Sequence, residues 1–356
     1  MYTFTGFNRR RVLVYATSLA GALALSGACQ AADQVVLAGY GGSIENAMQE
    51  KVIPAFEKKT GIKVSYVVGT ALSNYSKVVA ARNSPEVDVY WSNGLTHVAG
   101  KQQNLYEKLD PGIVTNLSDV YDSAKDPDGI GVASYVLATG IEYNTKAYAD
   151  AGIAAPKSWN DLWNPKLKGK VALYTFNVAY SQDLLVIMTQ LAGGTAKDVQ
   201  PGLDKLKSLK ASGNLTTFSS TPAELDNIMV QGQSWVTVNG SARAFILKNQ
   251  GAPIDFVFPK EGAGFFTNYF DVVKGAPHPK AAQALVDFLI SPEAQAAIAE
   301  STVTAPINKK TKISDKLAAE VPNGDEIAHM IQIDRGIMNA NLDKWASLWN
   351  RQIEGN

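Results

Sequence analysis

A glycine-rich turn is the first place where this chain could bind a small molecule. Tyr40-Gly41-Gly42-Ser43 follows an apolar segment and precedes an amphipathic one. Backbone N–H groups at the start of a helix attract anions, so this turn could hold a ligand. A plain strand-to-helix turn would use the same residues. Because no Gly-Lys-Ser or Gly-Lys-Thr follows, the turn is not predicted to bind nucleotide phosphates.

Side chains that catalyse reactions or bind metals are not grouped in the sequence. His97, His278 and His329 are far apart, and none belongs to a pair with the spacing of zinc ligands. Cys29 is the only cysteine. The chain has neither a Gly-x-Ser-x-Gly segment nor a His-Glu-x-x-His segment. We therefore predict that the protein is not an enzyme and has no catalytic residue, no metal and no cofactor.

Short apolar runs alternate with amphipathic segments, a pattern typical of an α/β fold. Ser43 is predicted as the N-cap of a helix that ends near Gly61. Val87 to Trp91 is predicted as a strand that ends at Ser92-Asn93-Gly94. Ligands of open parallel sheets bind beyond the carboxyl ends of the strands. We therefore expect Tyr40-Gly41-Gly42 and Ser92-Asn93-Gly94 to face one crevice.

Further candidate contacts follow strands in the middle of the chain. Phe176 and Tyr180 come after a strand predicted at Val171 to Tyr174, where aromatic rings could line a pocket for methylene groups. Asn239 follows another predicted strand and should meet the crevice. Arg243 comes one helical turn later. Its planar fork could bind a ligand carboxylate, or it could form a salt bridge.

Two segments are predicted to connect two domains. Val132 to Tyr143 is long enough to cross between them, with Thr139-Gly140 near the hinge, and Phe266 to Val273 would carry the chain back. Apolar residues recur at helical spacing from Ile327 to Trp349, which predicts a helix that covers a core. The predicted first lobe comprises residues 33–138 and 274–356, and the second comprises residues 139–273.

Residues 1–31 have the layout of a secretory signal peptide. Arg9-Arg10-Arg11 precedes an apolar run from Val12 to Leu25 and then a stretch of small residues. The run is too short to span a bilayer, which takes about 20 residues. We expect cleavage after Ala31 or Ala32, following export by the general or the twin-arginine route. Lipid attachment at Cys29 is the alternative.

The charge balance excludes some classes of partner. Lys and Arg total 33, as do Asp and Glu. Without the three signal-peptide arginines, 30 basic residues face 33 acidic ones, so the net charge is about −3. Such a surface does not favour nucleic acid or anionic lipid. About 325 residues with 46% hydrophobic composition are enough for two packed domains.

Several segments resemble periplasmic solute-binding proteins of the spermidine/putrescine-binding type. They are Asn239-Gly240-Ser241-Ala242, Gly251 to Phe256, Pro259-Lys260-Glu261-Gly262, Phe56 to Val64, Pro156 to Leu162 and Ala281 to Glu293. The resemblance covers essentially the whole chain after the signal peptide. It implies an α/β, two-lobed type II periplasmic binding protein fold whose hinge consists of crossover strands. It also implies a periplasmic monomer that captures a small-molecule ligand and presents it to an inner-membrane ABC permease.

The resemblance also bears on the ligand. Polyamine binders of this family resemble Phe-Trp-x-Asp where this chain has Phe265-Phe266-Thr267-Asn268. Phe266 keeps an aromatic ring, whereas Asn268 lacks the carboxylate that would hold an ammonium, and a buried ammonium without a counter-charge is costly. The expected ligand is a small amine-containing solute, either a polyamine or a short ω-amino acid such as γ-aminobutyrate.

Other ligands stay open. Thiamine, an aminophosphonate and ferric iron are alternatives, the last because iron-binding relatives use paired tyrosines. A secreted enzyme on the same fold is a further alternative. The residues predicted to contact the ligand are Tyr40, Gly41, Gly42, Ser92, Asn93, Phe176, Tyr180, Asn239, Arg243, Phe266 and Asn268.

Overall fold

The computed structural model describes residues 34–322 and 324–355, so the predicted signal peptide and Cys29 lie outside the described residues. Within these ranges the chain forms eleven strands and fifteen α-helices. The strands are β1 (Gln34–Gly39), β2 (Lys63–Val68), β3 (Val89–Asn93), β4 (Val132–Ala133), β5 (Leu137–Asn144), β6 (Val171–Tyr174), β7 (Leu215–Ser219), β8 (Val236–Gly240), β9 (Ile254–Val257), β10 (Gly264–Phe266) and β11 (Asn268–Val272). The helices are α1 (Ser43–Ala47), α2 (Ile53–Thr60), α3 (Ala71–Ala80), α4 (Gly94–Gln102), α5 (Thr145–Asp150), α6 (Ala179–Leu191), α7 (Gln200–Ala211), α8 (Pro222–Val230), α9 (Ser241–Asn249), α10 (Pro279–Leu289), α11 (Pro292–Thr302), α12 (Asp315–Ala318), α13 (Gly324–Ala328), α14 (Arg335–Ala340) and α15 (Leu342–Trp349). Short π-helical turns at Met48–Val52 and Asn350–Glu354 and 3-10 turns at Thr115–Asp119, Asp122–Ala124, Trp159–Trp163 and Pro165–Leu167 complete the helical segments.

The first sheet has the strand order β2-β1-β3-β11-β4. β1 runs parallel to β2 and β3, whereas β11 is antiparallel to β3 and β4. Tyr90 and Val78 belong to the apolar cluster on the side of α3 and α4, and Leu37, Phe56 and Leu285 belong to the cluster on the side of α2 and α10. Helices therefore cover both faces, as expected for parallel strands.

The second sheet has the order β10-β5-β8-β6-β7, and β9 also pairs with β5. β6 is parallel to β7 and β8, whereas β5 is antiparallel to β8, β9 and β10. Leu225 of α8 and Phe245 of α9 are buried in one apolar cluster, and Leu185 of α6 and Leu203 of α7 are buried in another. The two sheets and their helices confirm the predicted α/β, two-lobed fold.

Two antiparallel segments connect the sheets. The predicted strand from Val132 to Tyr143 is interrupted between β4 and β5, and the chain crosses at residues 134–136. It returns at Thr267, between β10 and β11. The Ser134 N–H donates to the Asn268 carbonyl at 2.8 Å, and the Thr267 hydroxyl donates to the Tyr135 carbonyl. The return to the first lobe therefore precedes β11, which differs from the predicted boundary after residue 273.

The end of the C-terminal tail packs on the second lobe. Trp345, Trp349 and Ile353 are buried in the same apolar cluster as Leu185 and Leu203, whereas Ile327 and Met330 are buried in the cluster that contains Leu37. The segment predicted as one helix covers apolar cores, but it forms α13, α14 and α15, and its end lies on the second lobe rather than on the first. The periodicity of a helix shows that one face is apolar and must be buried. It does not show which core that face packs against.

The N-terminal helical segment shows how local sequence sets its bounds. The helix begins at Ser43, with Gly42 as the N-cap residue at φ 72°. No side chain caps this end, so the predicted N-cap role of Ser43 is wrong. The segment ends at Thr60, and Gly61 takes the left-handed conformation at φ 76°, as predicted.

Candidate functional site

Aromatic side chains of the first lobe gather beside the crossing segments. Tyr40 follows β1, and its ring centroid lies 5.8 Å from that of Trp91, with the rings inclined at 74°. The Trp91 ring lies 6.2 Å from that of Tyr135, a residue of the first crossing segment. The Asn268 Nδ2 donates a hydrogen bond to the Tyr135 hydroxyl at 2.6 Å. The structure thus places two predicted contacts, Tyr40 and Asn268, around Tyr135 and Trp91, neither of which was predicted as a contact.

The Tyr40 hydroxyl is buried and has no hydrogen-bond partner in the described residues. Burial raises the pKa of Tyr40 well above its usual value, and the neighbouring Tyr135 raises it further. The phenol therefore stays protonated. A buried polar group without a partner costs free energy until a ligand or water supplies one. The Tyr40 hydroxyl is therefore a hydrogen-bonding group that the described residues leave unused.

Two half-buried aromatic residues continue the group on the side of the second lobe. The Tyr180 ring, at the start of α6, lies 6.2 Å from that of Phe266. Burial raises the pKa of Tyr180 to about 12, so this phenol is also neutral. Tyr180 in turn contributes to the raised pKa of Tyr135, which indicates that the two hydroxyls lie within electrostatic reach. The group therefore extends across both lobes.

Gly240 ends β8 and lies against Tyr180. A Cβ at residue 240 would lie 2.2 Å from the Tyr180 hydroxyl oxygen. We expect Gly240→Ala to displace the Tyr180 ring and to weaken ligand binding about tenfold, because misplacing one contact costs on the order of 1.4 kcal/mol. Calorimetry would measure the affinity. Tyr180→Ala is the matched control, since it removes the whole ring, whose Cζ and Cε1 would also lie 2.6 and 2.8 Å from the added Cβ, and Gly240→Ala should lose little further affinity in that background. Full wild-type affinity of Gly240→Ala would contradict the placement.

Arg335 connects several parts of this region. Its Nη1 and Nη2 donate to Asp183 of α6, with the Nη2–Oδ2 distance at 3.2 Å, and the Asp183 carboxylate also accepts from the Thr139 hydroxyl at 2.7 Å. The guanidinium lies 5.3 Å from the Phe266 ring centroid, a cation–π distance. Its stem lies 3.2 Å from the position that a Cβ would take at Gly94. Arg335 therefore contacts both lobes and orients Phe266.

Gly41 and Gly42 follow β1, and Asn93 ends β3, so these residues lie at the ends of first-lobe strands, as expected. Gly41 and Gly42 are exposed. The Asn93 Oδ1 accepts from the Thr96 N–H at 2.9 Å and so caps α4, and Asn93 pairs in register with Asn268. The amide oxygen of Asn93 is therefore used by the helix cap.

Arg243 is half-exposed on α9, close to Tyr180. Its Nε donates to Asp226 of α8 at 2.9 Å, and its Nη2 donates to the other oxygen of the same carboxylate. The Arg243 charge reaches Tyr180, since it lowers the pKa of that phenol against the dominant effect of burial. Nη1 has no partner in the described residues, so one edge of the guanidinium is open.

Asn239 is fully buried rather than exposed at the crevice. Its Nδ2 donates to Glu142 at 2.8 Å, and its Oδ1 accepts from the Gly240 N–H at 2.9 Å and from the Tyr174 hydroxyl at 3.3 Å. The Asn239 side chain therefore supports the start of α9 from inside the lobe.

Two predicted contacts are not brought into the group around Tyr135. The Ser92 hydroxyl donates to Asp271 at 2.5 Å, and its side chain is fully buried. Because β3 continues to Asn93, Ser92 lies within the strand and points to the face opposite Trp91. Phe176 packs in the second-lobe core, with its ring centroid 5.5 Å from that of Trp349.

Tyr135, Asp183 and Arg335 were missed for separate reasons. Tyr135 falls in the interruption of a segment that was predicted as one strand. Asp183 comes from the middle of a mostly apolar helix, and Arg335 lies 152 residues further along the chain. The only local signal was Asp334, whose side chain caps α14 and so fixes where Arg335 begins the helix.

Residues 34–322 and 324–355 contain no group of three or more His, Cys, Asp or Glu side chains placed to hold a metal ion. In the same residues, no helix has the length and apolarity that crossing a membrane requires.

Two α/β lobes joined by antiparallel crossing segments, with aromatic and amide side chains at the crossing, define a solute-binding protein of the type II periplasmic fold. The sequence model for the bacterial extracellular solute-binding protein family matches residues 51–323. The chain therefore belongs to that family. Its fold is similar to an ABC transporter protein from Clostridium perfringens, with a TM-score of 0.79 at 23% identity over 90% of this chain and 99% of the other.

Two curated relatives are similar to this chain in sequence over most of its length. A spermidine/putrescine-binding periplasmic protein from Escherichia coli K12 is 30% identical over 298 residues, which cover 79% of this chain and 80% of the relative. A gamma-aminobutyric acid-binding protein from Pseudomonas aeruginosa PAO1 is 26% identical over 308 residues, 81% of each chain.

Proposed function

We propose that this protein is the periplasmic solute-binding component of an ABC importer and that it captures a small amine-containing solute. The neutral aromatic group of Tyr40, Tyr135, Tyr180 and Phe266 carries the proposal, because such rings suit a chain of methylenes that ends in an ammonium. Relatives that bind polyamines and γ-aminobutyrate support this ligand class. The solute would then pass to an inner-membrane permease.

Within this class we propose a short ω-amino acid ahead of a polyamine. Two buried carboxylates near the aromatic group already have cationic partners: Asp183 bonds Arg335, and Asp271 lies 2.8 Å from His97. Neither is free to offset the two or more charges that a polyamine would bring into a closed site. A zwitterion brings its own negative charge, which the guanidinium edge of Arg243 that does not bond Asp226 would bind.

The tyrosines bear on the ferric-iron alternative. Phenolate oxygens are the form in which tyrosine binds ferric iron, yet burial raises the pKa of Tyr180 to about 12 and raises the pKa of Tyr40 and Tyr135 further still. Loss of these protons would add to the cost of binding. Without a metal ion the phenols are neutral, the form in which an organic ligand would meet them.

Residue 268 tests the ligand class directly. We expect Asn268→Asp to strengthen putrescine binding by about 1.5–3 kcal/mol, the contribution of a charge-assisted hydrogen bond. The same change should weaken γ-aminobutyrate, whose carboxylate would be repelled. Arg243→Ala should weaken γ-aminobutyrate and should not weaken putrescine, because it removes a positive charge. Calorimetry with putrescine, spermidine and γ-aminobutyrate measures all three proteins.

Two exposed positions supply matched controls. Asn83→Asp adds the same charge and Arg82→Ala removes the same charge at exposed residues near the end of α3. Neither should change any affinity by more than twofold. Wild-type protein that binds spermidine tightly and does not bind γ-aminobutyrate would contradict the preference for the zwitterion. Failure to bind any of the three solutes would contradict the ligand class.

A further inference from the structure

A buried acidic residue behind α9 is not used by any contact proposed so far. Glu142 lies in β5 and is 0% exposed. Its Oε2 accepts from the Asn239 Nδ2 at 2.8 Å, whereas its Oε1 has no hydrogen-bond partner in the described residues. Thr237, directly opposite in β8, also has a buried hydroxyl without a partner. An ionised carboxylate with an unbonded oxygen is unfavourable in such surroundings.

The titratable groups around Glu142 come from three elements. Asp226 of α8 disfavours the anion and Arg243 of α9 favours it, while Tyr174 of β6 is a neutral phenol. Burial is the largest effect and raises the pKa of Glu142 to about 7, against the hydrogen bond from Asn239, which lowers it. Glu142 therefore changes charge near neutral pH.

A chain of contacts connects Glu142 to the proposed ligand site. Asn239 bonds Glu142 with its amide nitrogen and the Gly240 N–H with its amide oxygen. Gly240 ends β8, precedes the first residue of α9 and touches Tyr180. The Glu142 charge also raises the pKa of Tyr180 and so acts at that hydroxyl.

We propose that Glu142 is a positioning residue whose protonation state adjusts the start of α9 and the potential at Arg243, so that a ligand carboxylate binds more strongly when Glu142 is neutral. An anion behind Arg243 lowers the positive potential that a carboxylate meets. A ligand with ammonium groups alone experiences the opposite effect. The ligand part of this inference rests on the proposed function, whereas the link from Glu142 to Gly240 does not.

The first experiment needs no ligand. We expect the Gly240 amide resonance of wild-type protein to titrate between pH 5.5 and 8.5 with a midpoint near 7. The titration should vanish in Glu142→Gln and return in Glu142→Asp. Glu50→Gln, at an exposed residue of the first lobe, should leave it unchanged. A wild-type Gly240 resonance that does not move in this range would overturn the positioning role, even if Glu142→Gln fails to fold.

The second experiment measures affinity as a function of pH. We expect γ-aminobutyrate to bind on the order of fivefold more weakly at pH 8.5 than at pH 5.5, a modest coupling between sites. Putrescine should gain affinity over the same range, and both profiles should be flat in Glu142→Gln. Equal slopes in wild type and Glu142→Gln would overturn the coupling. If no solute binds at any pH while Gly240 titrates, the proposed ligand class fails and the positioning role stands.

Discussion

Arg335→Ala is expected to lower the free energy of unfolding by about 3–5 kcal/mol, because it leaves a buried carboxylate without its cation. The Asp183 side chain is 0% exposed and that of Arg335 only 13%, so the carboxylate depends on the guanidinium rather than on solvent in the folded protein. Urea unfolding followed by tryptophan fluorescence measures the change. The guanidinium also lies over Phe266, so weaker ligand binding should accompany the loss of stability.

Two controls separate a buried pair from an exposed one. Lys146→Ala breaks an ion pair with Asp150 in which the side chains are 71% and 64% exposed, and should cost less than about 1 kcal/mol. The double variant Arg335→Met with Asp183→Leu should be more stable than Arg335→Met alone, since it leaves no unpaired charge. If Arg335→Ala costs no more than Lys146→Ala, the structural role of the buried pair is refuted.

His97→Gln is expected to destabilise the protein by about 3 kcal/mol at pH 6, because the imidazolium holds two buried carboxylates. The His97 Nδ1 lies 2.8 Å from Asp271, and its Nε2 lies 3.2 Å from Asp126. Burial would lower the pKa of His97, but the two acids outweigh it and raise the pKa to about 9. Hydrogen bonds from His97 and Lys101 likewise outweigh burial at Asp126 and lower its pKa to about 2.

These shifts define a pH profile. A histidine whose pKa is higher in the folded state stabilises fully below its unfolded value of 6.5, and the contribution is lost as the pH rises through about 9. The free energy of unfolding should therefore fall by about 3 kcal/mol over that interval, at roughly 1.4 kcal/mol per pKa unit. The Asp126 contribution is present above pH 3.8 and lost as the pH falls through about 2.

Urea unfolding at half-unit pH steps checks the profile. In His97→Gln the decline between pH 6.5 and 9 should be much smaller, because the titrating group is absent. The exposed His329→Gln should retain the wild-type decline. A His97→Gln profile that parallels the wild type would show that another group causes the dependence.

Sequence alone determined the features that depend on neighbouring residues. The helix end at Gly61 follows from the left-handed conformation that glycine takes at little cost. The strand Val171–Tyr174 appears where an apolar run predicted it. The family segments, spread over the chain, predicted the two-lobed fold.

Only the tertiary structure decided which side chains meet. A strand alternates its side chains between two faces, so the extension of β3 by two residues buries Ser92 against Asp271 instead of ending the strand at Trp91. The lobe that the tail covers and the pairing of Arg335 with Asp183 join residues far apart in the chain. Such contacts depend on how complete elements pack, and no local pattern of residues encodes them.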